Sequence, residues 1–211
     1  MKPGTASEPT VNSDLLEQFE QARRPVSRIY EPKDIRAVLG AGGDPQADLY
    51  LDRLAADGIP WLRRRGGGGA VVLTPGQAVL ACVTEVDSPF RNREYAAAIN
   101  SWFIEALEAL GVQGVVPRGI SDLAIAEKKI LGTSIYRRRL VLFYQASLLV
   151  SNDISIFTRY LAMPSRVPEY RAGRSHEDFC TTLVREGYSL SVDEVMKSLK
   201  EVVDVRLPAL H

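Results

Sequence analysis

The chain predicts an α+β fold, a sheet backed by helices, from three observations. Short β-like apolar runs recur before residue 90 and again after residue 112. One long segment, residues 92–110, has strictly helical apolar spacing and stands between them. The last third reads as two or three further helices. The chain has 211 residues, 45% of them hydrophobic, which fits one compact domain with a sizeable core. No internal repeat is present.

Each element follows from local pattern. Residues 1–12 contain Pro, Gly and Ser and are expected to be a flexible tail, with a single domain over 13–211. Ser13 followed by Leu15, Leu16 and Phe19 predicts a capped amphipathic helix. Ile35–Leu39 is β-like, and Gly40-Ala41-Gly42-Gly43-Asp44-Pro45 breaks the chain. Leu49, Leu51, Leu54 and Ala55 repeat at helical spacing up to Gly58, and Ile59–Leu62 reads as a strand. Ala70–Leu73 and Val79–Val86 predict strands on either side of Thr74-Pro75-Gly76-Gln77. After the long helix and Gly111, β character returns at Val112–Val116, Leu123–Ile125, Lys129–Ile135 and Leu140–Val150. Helices are expected at Ile154–Leu161, His176–Arg185 and Val192–Val203.

Composition excludes several classes of function. Lys plus Arg and Asp plus Glu both number 26, so no bulk attraction to nucleic acid or an anionic membrane is expected. No apolar run approaches the ~20 residues of a membrane helix, and the first residues lack the apolar core of a signal peptide. Two cysteines, Cys82 and Cys180, make no disulfide framework, which fits a reducing cytoplasm.

Two segments carry chemistry. In Arg63-Arg64-Arg65-Gly66-Gly67-Gly68-Gly69-Ala70-Val71, four consecutive glycines are entropically costly. Bare backbone lets a ligand lie close, and its amides can donate to a carboxylate or phosphate; the preceding arginines suit anionic oxygens. A flexible linker is disfavoured because β-like apolar stretches flank the run. It has neither P-loop nor dinucleotide-fingerprint spacing. The second segment, Ser121-Asp122 through Lys128-Lys129-Ile130-Leu131-Gly132-Thr133, reads as strand, tight turn, strand. A lysine in a cleft neutralises charge developing on a carboxylate or phosphate, and one aspartate can help hold Mg²⁺. Alone, either lysine is better read as a solvated turn residue, and that reading is kept for Lys128.

Together these segments resemble the lipoate–protein ligase family, within the biotin/lipoate ligase and octanoyltransferase superfamily, in a short form without the C-terminal accessory domain. Ala146-Ser147-Leu148-Leu149-Val150 and Met163-Pro164-Ser165 are similar to later segments of that pattern. This sequence departs from it at Leu73-Thr74 (usually His-Asp), Ser121 (usually Asn), Glu127 (usually Gly) and Gly40–Asp44. The resemblance implies a mixed sheet related to class II aminoacyl-tRNA synthetases and a cytoplasmic, ATP-dependent enzyme, a monomer. A lipoate or octanoate carboxylate is activated as acyl-adenylate, then passed to a lysine of a small acceptor protein such as a lipoyl domain, a glycine-cleavage H-like protein or a lipoate-binding protein. Lys129 and Asp122 are the implied catalytic residues. Arg64, Gly66, Gly67, Gly68, Gly69, Ala70, Val71, Gly132 and Thr133 are the implied substrate contacts, with Val72 a further wall. Arg63, Arg64, Ser121, Asp122 and Lys129 are implied at the nucleotide, and Asp122 at Mg²⁺.

Two other functions remain open at this stage. One is ATP-independent acyl transfer through a cysteine nucleophile. Cys82 lies in an apolar alternating run and is expected to be inert core. Cys180 and His176, four apart, are expected on one face of a helix. The other is a non-catalytic binding module, with Arg137-Arg138-Arg139 as a docking patch or a solvated hairpin end.

Overall fold

The computed structural model describes residues 11–164 and 167–210. Its strands are β1 (Val26–Tyr30), β2 (Arg36–Leu39), β3 (Trp61–Arg63), β4 (Val71–Leu73), β5 (Gln77–Glu85), β6 (Val116–Arg118), β7 (Asp122–Ile125), β8 (Lys128–Arg138) and β9 (Val141–Leu149). Its α-helices are α1 (Asp14–Ala22), α2 (Pro45–Asp48), α3 (Leu51–Ala56), α4 (Asn92–Ala109), α5 (Ser155–Tyr160), α6 (His176–Phe179) and α7 (Val192–Arg206). The fold is the expected α+β arrangement. A six-stranded sheet has the order β1-β5-β9-β8-β7-β6 with antiparallel neighbours throughout. A three-stranded sheet has the order β3-β2-β4, with β2 parallel to β3 and antiparallel to β4.

The large sheet is covered on both faces. Alternate residues of β5, Leu80 and Cys82, join Ile99, Phe103 and Leu107 of α4 and Leu199 and Val203 of α7 in one core. The intervening residues face the other way: Ala81 and Val83 meet Leu15 and Phe19 of α1, and Val79 meets Val38 and Leu73 of the small sheet. Strand β5 is therefore buried from Gln77 to Thr84, and it reads in sequence as an almost unbroken apolar run for that reason. Thr74–Gly76 carries the chain from the small sheet to the large one, so the two strands flanking it do not pair with each other.

Several local expectations change. The helical spacing at 49–55 resolves into two short helices, with Leu49 between them bridging Leu161. The helix expected over His176–Arg185 stops at Phe179, and Cys180 is extended. There the Lys129 carbonyl accepts from the Thr181 N–H at 2.9 Å, competing with helix continuation. Of the expected tail, residues 1–10 lie outside the described residues. Asn12 donates to the Tyr30 hydroxyl and the Gln145 side chain, both at 3.1 Å, so it is tied to the large sheet.

The turn between β7 and β8 consists of Ala126 and Glu127, with φ of 46° and 66°. Two left-handed residues between antiparallel strands make a type I′ turn, which favours glycine or asparagine. A non-glycine residue there costs about 1–2 kcal/mol. Glu127 has an exposed ion pair with Arg118, and such pairs are worth little. Glu127→Gly is therefore expected to stabilise the domain by about 0.5–1 kcal/mol after its entropy cost in the unfolded chain. A higher thermal midpoint in calorimetry would bear this out; a lower one would mean that the ion pair outweighs the backbone strain.

Candidate active site

The position of Lys129 is set by an irregularity in β8. Opposite β7, Leu131 pairs with Leu123 and Lys129 pairs with Ala124, which leaves Ile130 as an extra residue. Ile130 and Leu131 both enter the core beneath α4 and α7. Strict alternation would have sent Lys129 to the same core as Leu131. The bulge turns it to the opposite face, as bulges do. There it joins Asp122, which alternates with core residue Leu123. The Lys129 ammonium lies 2.7 Å from Asp122 Oδ1, with the two side chains 26% and 15% exposed. It also lies over Gly132: a Cβ on that glycine would come within 2.9 Å of Lys129 Cε and Nζ. The other Asp122 oxygen accepts from the Tyr170 hydroxyl at 2.9 Å. Burial and the nearby carboxylate raise the Tyr170 pKa, so the phenol keeps its proton.

The glycine loop packs on the same strand. A Cβ on Gly66 would collide with Ser134 Oγ at 2.1 Å, and Gly68 has φ of +94°. Gly68 also comes near the Thr133 carbonyl. Packing thus explains Gly66, and backbone conformation explains Gly68. A Cβ on Gly67 would meet nothing, and one on Gly69 would just reach Pro164. The loop at Gly66 and Gly68 therefore packs along Thr133–Ile135 of β8, the strand that also carries Lys129 and Gly132.

The arginines are placed differently from expectation. Arg64 is only 6% exposed. It donates to Ser134 Oγ (2.9 Å) and to the carbonyls of Val38 (3.3 Å), Gly67 (2.8 Å) and Gly69 (2.7 Å). Burial lowers its pKa to about 10, still far above neutrality. Arg63 donates to the carbonyls of Gly40, Ala41 and Gly43. Both side chains organise backbone: all three guanidinium nitrogens of Arg64 are engaged, whereas Arg63 uses Nη1 alone. Arg65 is exposed, 5.9 Å over the Tyr136 ring.

Other candidates sort by strand geometry. Ala70 and Val72 face the cluster that holds Leu149, Phe179 and Cys180. Val71, expected beside them, alternates to the opposite face with Val38 and Val79. Ser121 and Thr133 join their hydroxyls at 2.5 Å, and the Ser121 carbonyl accepts from Asn100 at 2.9 Å. Asp122 does not fit a metal: both its oxygens are engaged, and the described residues contain no cluster of three His, Cys, Asp or Glu.

Cys180 bridges Lys129 through backbone, a proximity that sequence did not suggest. Its thiol is buried, and burial pushes its pKa up against the opposing pull of Lys129. His176 lies within hydrogen-bonding distance of the Ala162 carbonyl, and burial and Arg171 depress its pKa. Cys82 is fully buried, its pKa pushed up to about 12. Arg137 bonds Asn92 and the Ser88 carbonyl, while Arg138 pairs with Glu20, so the arginine run is not one free basic patch. Tyr170 was missed because it lies 48 residues from Asp122. An open groove of about 920 Å³, lined in part by Asp34, Pro60, Thr74 and Asn152, contains none of the Lys129 cluster. Among the described residues no helix is long and apolar enough to cross a membrane.

A family description, lipoyl protein ligase A/B catalytic domain, matches residues 10–204. The chain belongs to this family. Among sequence relatives, lipoate-protein ligase A subunit 1 of Thermoplasma acidophilum is 26% identical over 194 residues, which are 88% of this chain and 73% of the relative. A ligase A homologue of Aeropyrum pernix is 26% identical over 145 residues, covering 69% of this chain and 53% of its own. Among solved structures, the bipartite lipoate protein ligase of T. acidophilum, studied with its E2 lipoyl domain, has a TM-score of 0.76 at 23% identity. That match covers 90% of this chain and 76% of the other. A lipoate-protein ligase A bound with ATP has a TM-score of 0.75 at 22% identity, covering 90% and 77%. These likenesses establish the fold of the family's catalytic domain in this chain.

Because Arg64 carries the glycine loop, Arg64→Ala is expected to destabilise the domain by about 3 kcal/mol, through the loss of four hydrogen bonds from a buried side chain and of its packing. Arg64→Lys should recover little, since an ammonium cannot span four acceptors in a planar fork. Chemical denaturation would test both. An Arg64→Lys variant of wild-type stability would contradict the scaffold role.

Proposed function

We propose that the chain is an ATP-dependent lipoate (or octanoate)–protein ligase. The carrying observation is the Lys129 ammonium, paired with Asp122 and laid over Gly132, on the same strand against which a loop with exposed glycine backbone at Gly67 and Gly69 packs. A half-buried cation next to unencumbered backbone donors suits a reaction in which anionic oxygens meet at one point.

In the first step a carboxylate oxygen of the acid attacks the α-phosphorus of ATP. The bond from the α-phosphorus to the bridging oxygen breaks, and pyrophosphate leaves. Lys129 neutralises charge on the carboxylate and α-phosphate oxygens, which otherwise repel each other. Glycine backbone at 67–69 gives the substrate close approach. Ala70 and Val72, whose cluster includes Leu149 and Phe179, offer an apolar wall for the chain. In the second step the neutral amine of an acceptor lysine attacks the acyl carbon. An amide forms, AMP departs, and the amine's proton passes to solvent or to a base.

Support for this chemistry comes from relatives. A lipoate protein ligase of T. acidophilum was solved with lipoic acid and a ligase A with ATP, and the bipartite enzyme was studied with an E2 lipoyl domain. For this chain we infer a lipoyl-type lysine on a small carrier as acceptor, a cytoplasmic setting and action as a monomer. Cysteine-mediated transfer is disfavoured, since both thiols are buried with raised pKa values and hold little thiolate at neutral pH.

Incubation with ATP, Mg²⁺, octanoate or lipoate, and a lipoyl domain should give an acyl adduct by intact mass and release pyrophosphate. Adduct formation from an acyl-carrier protein without ATP would sink this reading. Lys129→Ala should lower adenylation by about 10²–10³-fold, the scale of losing a preorganised charge, whereas exposed Lys128→Ala should keep most activity. Equal losses in both would remove the assignment.

Cys180→Ser is expected to retain ligation within about threefold, because no thiolate takes part. Native protein at pH 8 should react with iodoacetamide at neither cysteine until denaturant is added. Abolished ligation in Cys180→Ser with an unchanged thermal midpoint would instead favour the transferase.

A further inference from the structure

We infer that Tyr170 is a positioning residue for Lys129, acting through Asp122. Among the described residues Asp122 is the only carboxylate paired with Lys129, and its two oxygens have separate tasks: Oδ1 holds the ammonium at 2.7 Å, and Oδ2 accepts from the Tyr170 hydroxyl at 2.9 Å. A carboxylate with only the first contact can rotate about its side-chain torsions and take the ammonium with it. The second contact fixes its plane. A lysine side chain has four rotatable bonds and a charge without directional preference, so its position is only as defined as that of its counter-ion.

Tyr170 is itself held from three sides. Its ring lies 5.0 Å from that of Phe179 at an interplanar angle of 51°. Its edge packs on Gly119, where a Cβ would stand 3.3 Å from Cε1. Its carbonyl accepts from Arg174 Nη2 at 2.7 Å, and the same nitrogen donates to the Glu127 carbonyl at 3.0 Å. Arg174 thereby clasps the turn carrying Tyr170 (Glu169–Arg171, a short 3-10 helix) onto the hairpin turn that leads into Lys128 and Lys129. The order of support runs from Phe179 and Arg174 to Tyr170, then Asp122, then the ammonium. If Tyr170 only filled space, its hydroxyl would be dispensable, because the ring alone makes the contacts with Phe179 and Gly119.

The geometric part of this inference stands by itself; its catalytic consequence rests on the function proposed above. The test uses Tyr170→Phe, which keeps the ring and removes only the hydroxyl, alone and combined with Asp122→Asn. Competitive labelling with acetic anhydride, read by peptide mass spectrometry, compares Lys129 with exposed Lys128 in the same molecule. In the wild type, Lys129 should label more slowly than Lys128. In Tyr170→Phe its relative labelling should rise about threefold at an unchanged thermal midpoint, with no further rise when Tyr170→Phe is added to Asp122→Asn. In pyrophosphate exchange, Tyr170→Phe should lower kcat about tenfold, the scale of one charge-assisted hydrogen bond, with KM for ATP within about twofold. Unchanged labelling, unchanged kcat, or a full additional effect in the Asp122→Asn background would overturn the inference. A wild type inactive with every acid tried would sink the ligase reading, and labelling would still decide whether Tyr170 positions Lys129.

Discussion

In β8 the residue Ile130 has no partner on β7, and the direction of the Lys129 side chain follows from that mismatch. A regular strand would have aimed the ammonium with Leu131 into a core of Leu123, Ile99 and Phe103. Among the described residues no Asp or Glu is buried, and an isolated charge in such surroundings costs far more than a bulge. Two consecutive apolar residues, Ile130 and Leu131, fill the core instead. Lys129 is turned onto the polar face with Asp122, Gly132 and Ser134. The side chain that matters most to the proposed chemistry is thus placed by a defect in strand pairing and not by the lysine's own preferences.

Arg64 supplies the second constraint. Its guanidinium reaches Val38 of the small sheet, Ser134 of the large sheet and both Gly67 and Gly69. Among the described residues no carboxylate pairs with it; four neutral oxygens accept from it. Burying a cation this way is costly, and it is tolerable because its donors meet four oxygen acceptors, three backbone carbonyls and one hydroxyl. The loop consequently has a fixed shape on its inner side, while the backbone at Gly67 and Gly69 stays exposed. Rigidity inside and bare backbone outside are what close binding of an anionic head group requires.

The sequence made the fold class and most elements legible, because each is encoded locally: a period, a turn residue, a spacing. What stayed hidden depends on residues distant in the chain. Alternation cannot reveal that Ile130 is unpaired, since Lys128-Lys129-Ile130-Leu131 reads equally well without a bulge. Arginines before a glycine run read as phosphate ligands, but both donate to carbonyls that only the folded chain brings near, at Gly40 for Arg63 and Val38 for Arg64. Helical spacing at His176 and Cys180 was real, but Thr181 found a strand-edge carbonyl at Lys129 and the helix ended. Tyr170 has no local signal at all.

Departures from the family pattern are absorbed locally. Ser121, where the pattern has asparagine, keeps its hydroxyl on Thr133 and its carbonyl on Asn100, whose own oxygen accepts from the buried Tyr144 hydroxyl. This chain of bonds ties the start of β7 to α4, β8 and β9, so the backbone carrying Asp122 is fixed independently of the side chain before it. Glu127, where the pattern has glycine, accepts a left-handed conformation and gives its carbonyl to Arg174. Leu73, where the pattern has histidine, packs with Val38 and Val79, on the face of β4 opposite to Ala70 and Val72. Its exchange for an apolar residue therefore extends the contact between the two sheets and leaves the surface facing Cys180 and Phe179 unaltered. The polar work of this site falls to one hairpin, one loop and one short turn, with β4 contributing only an apolar wall.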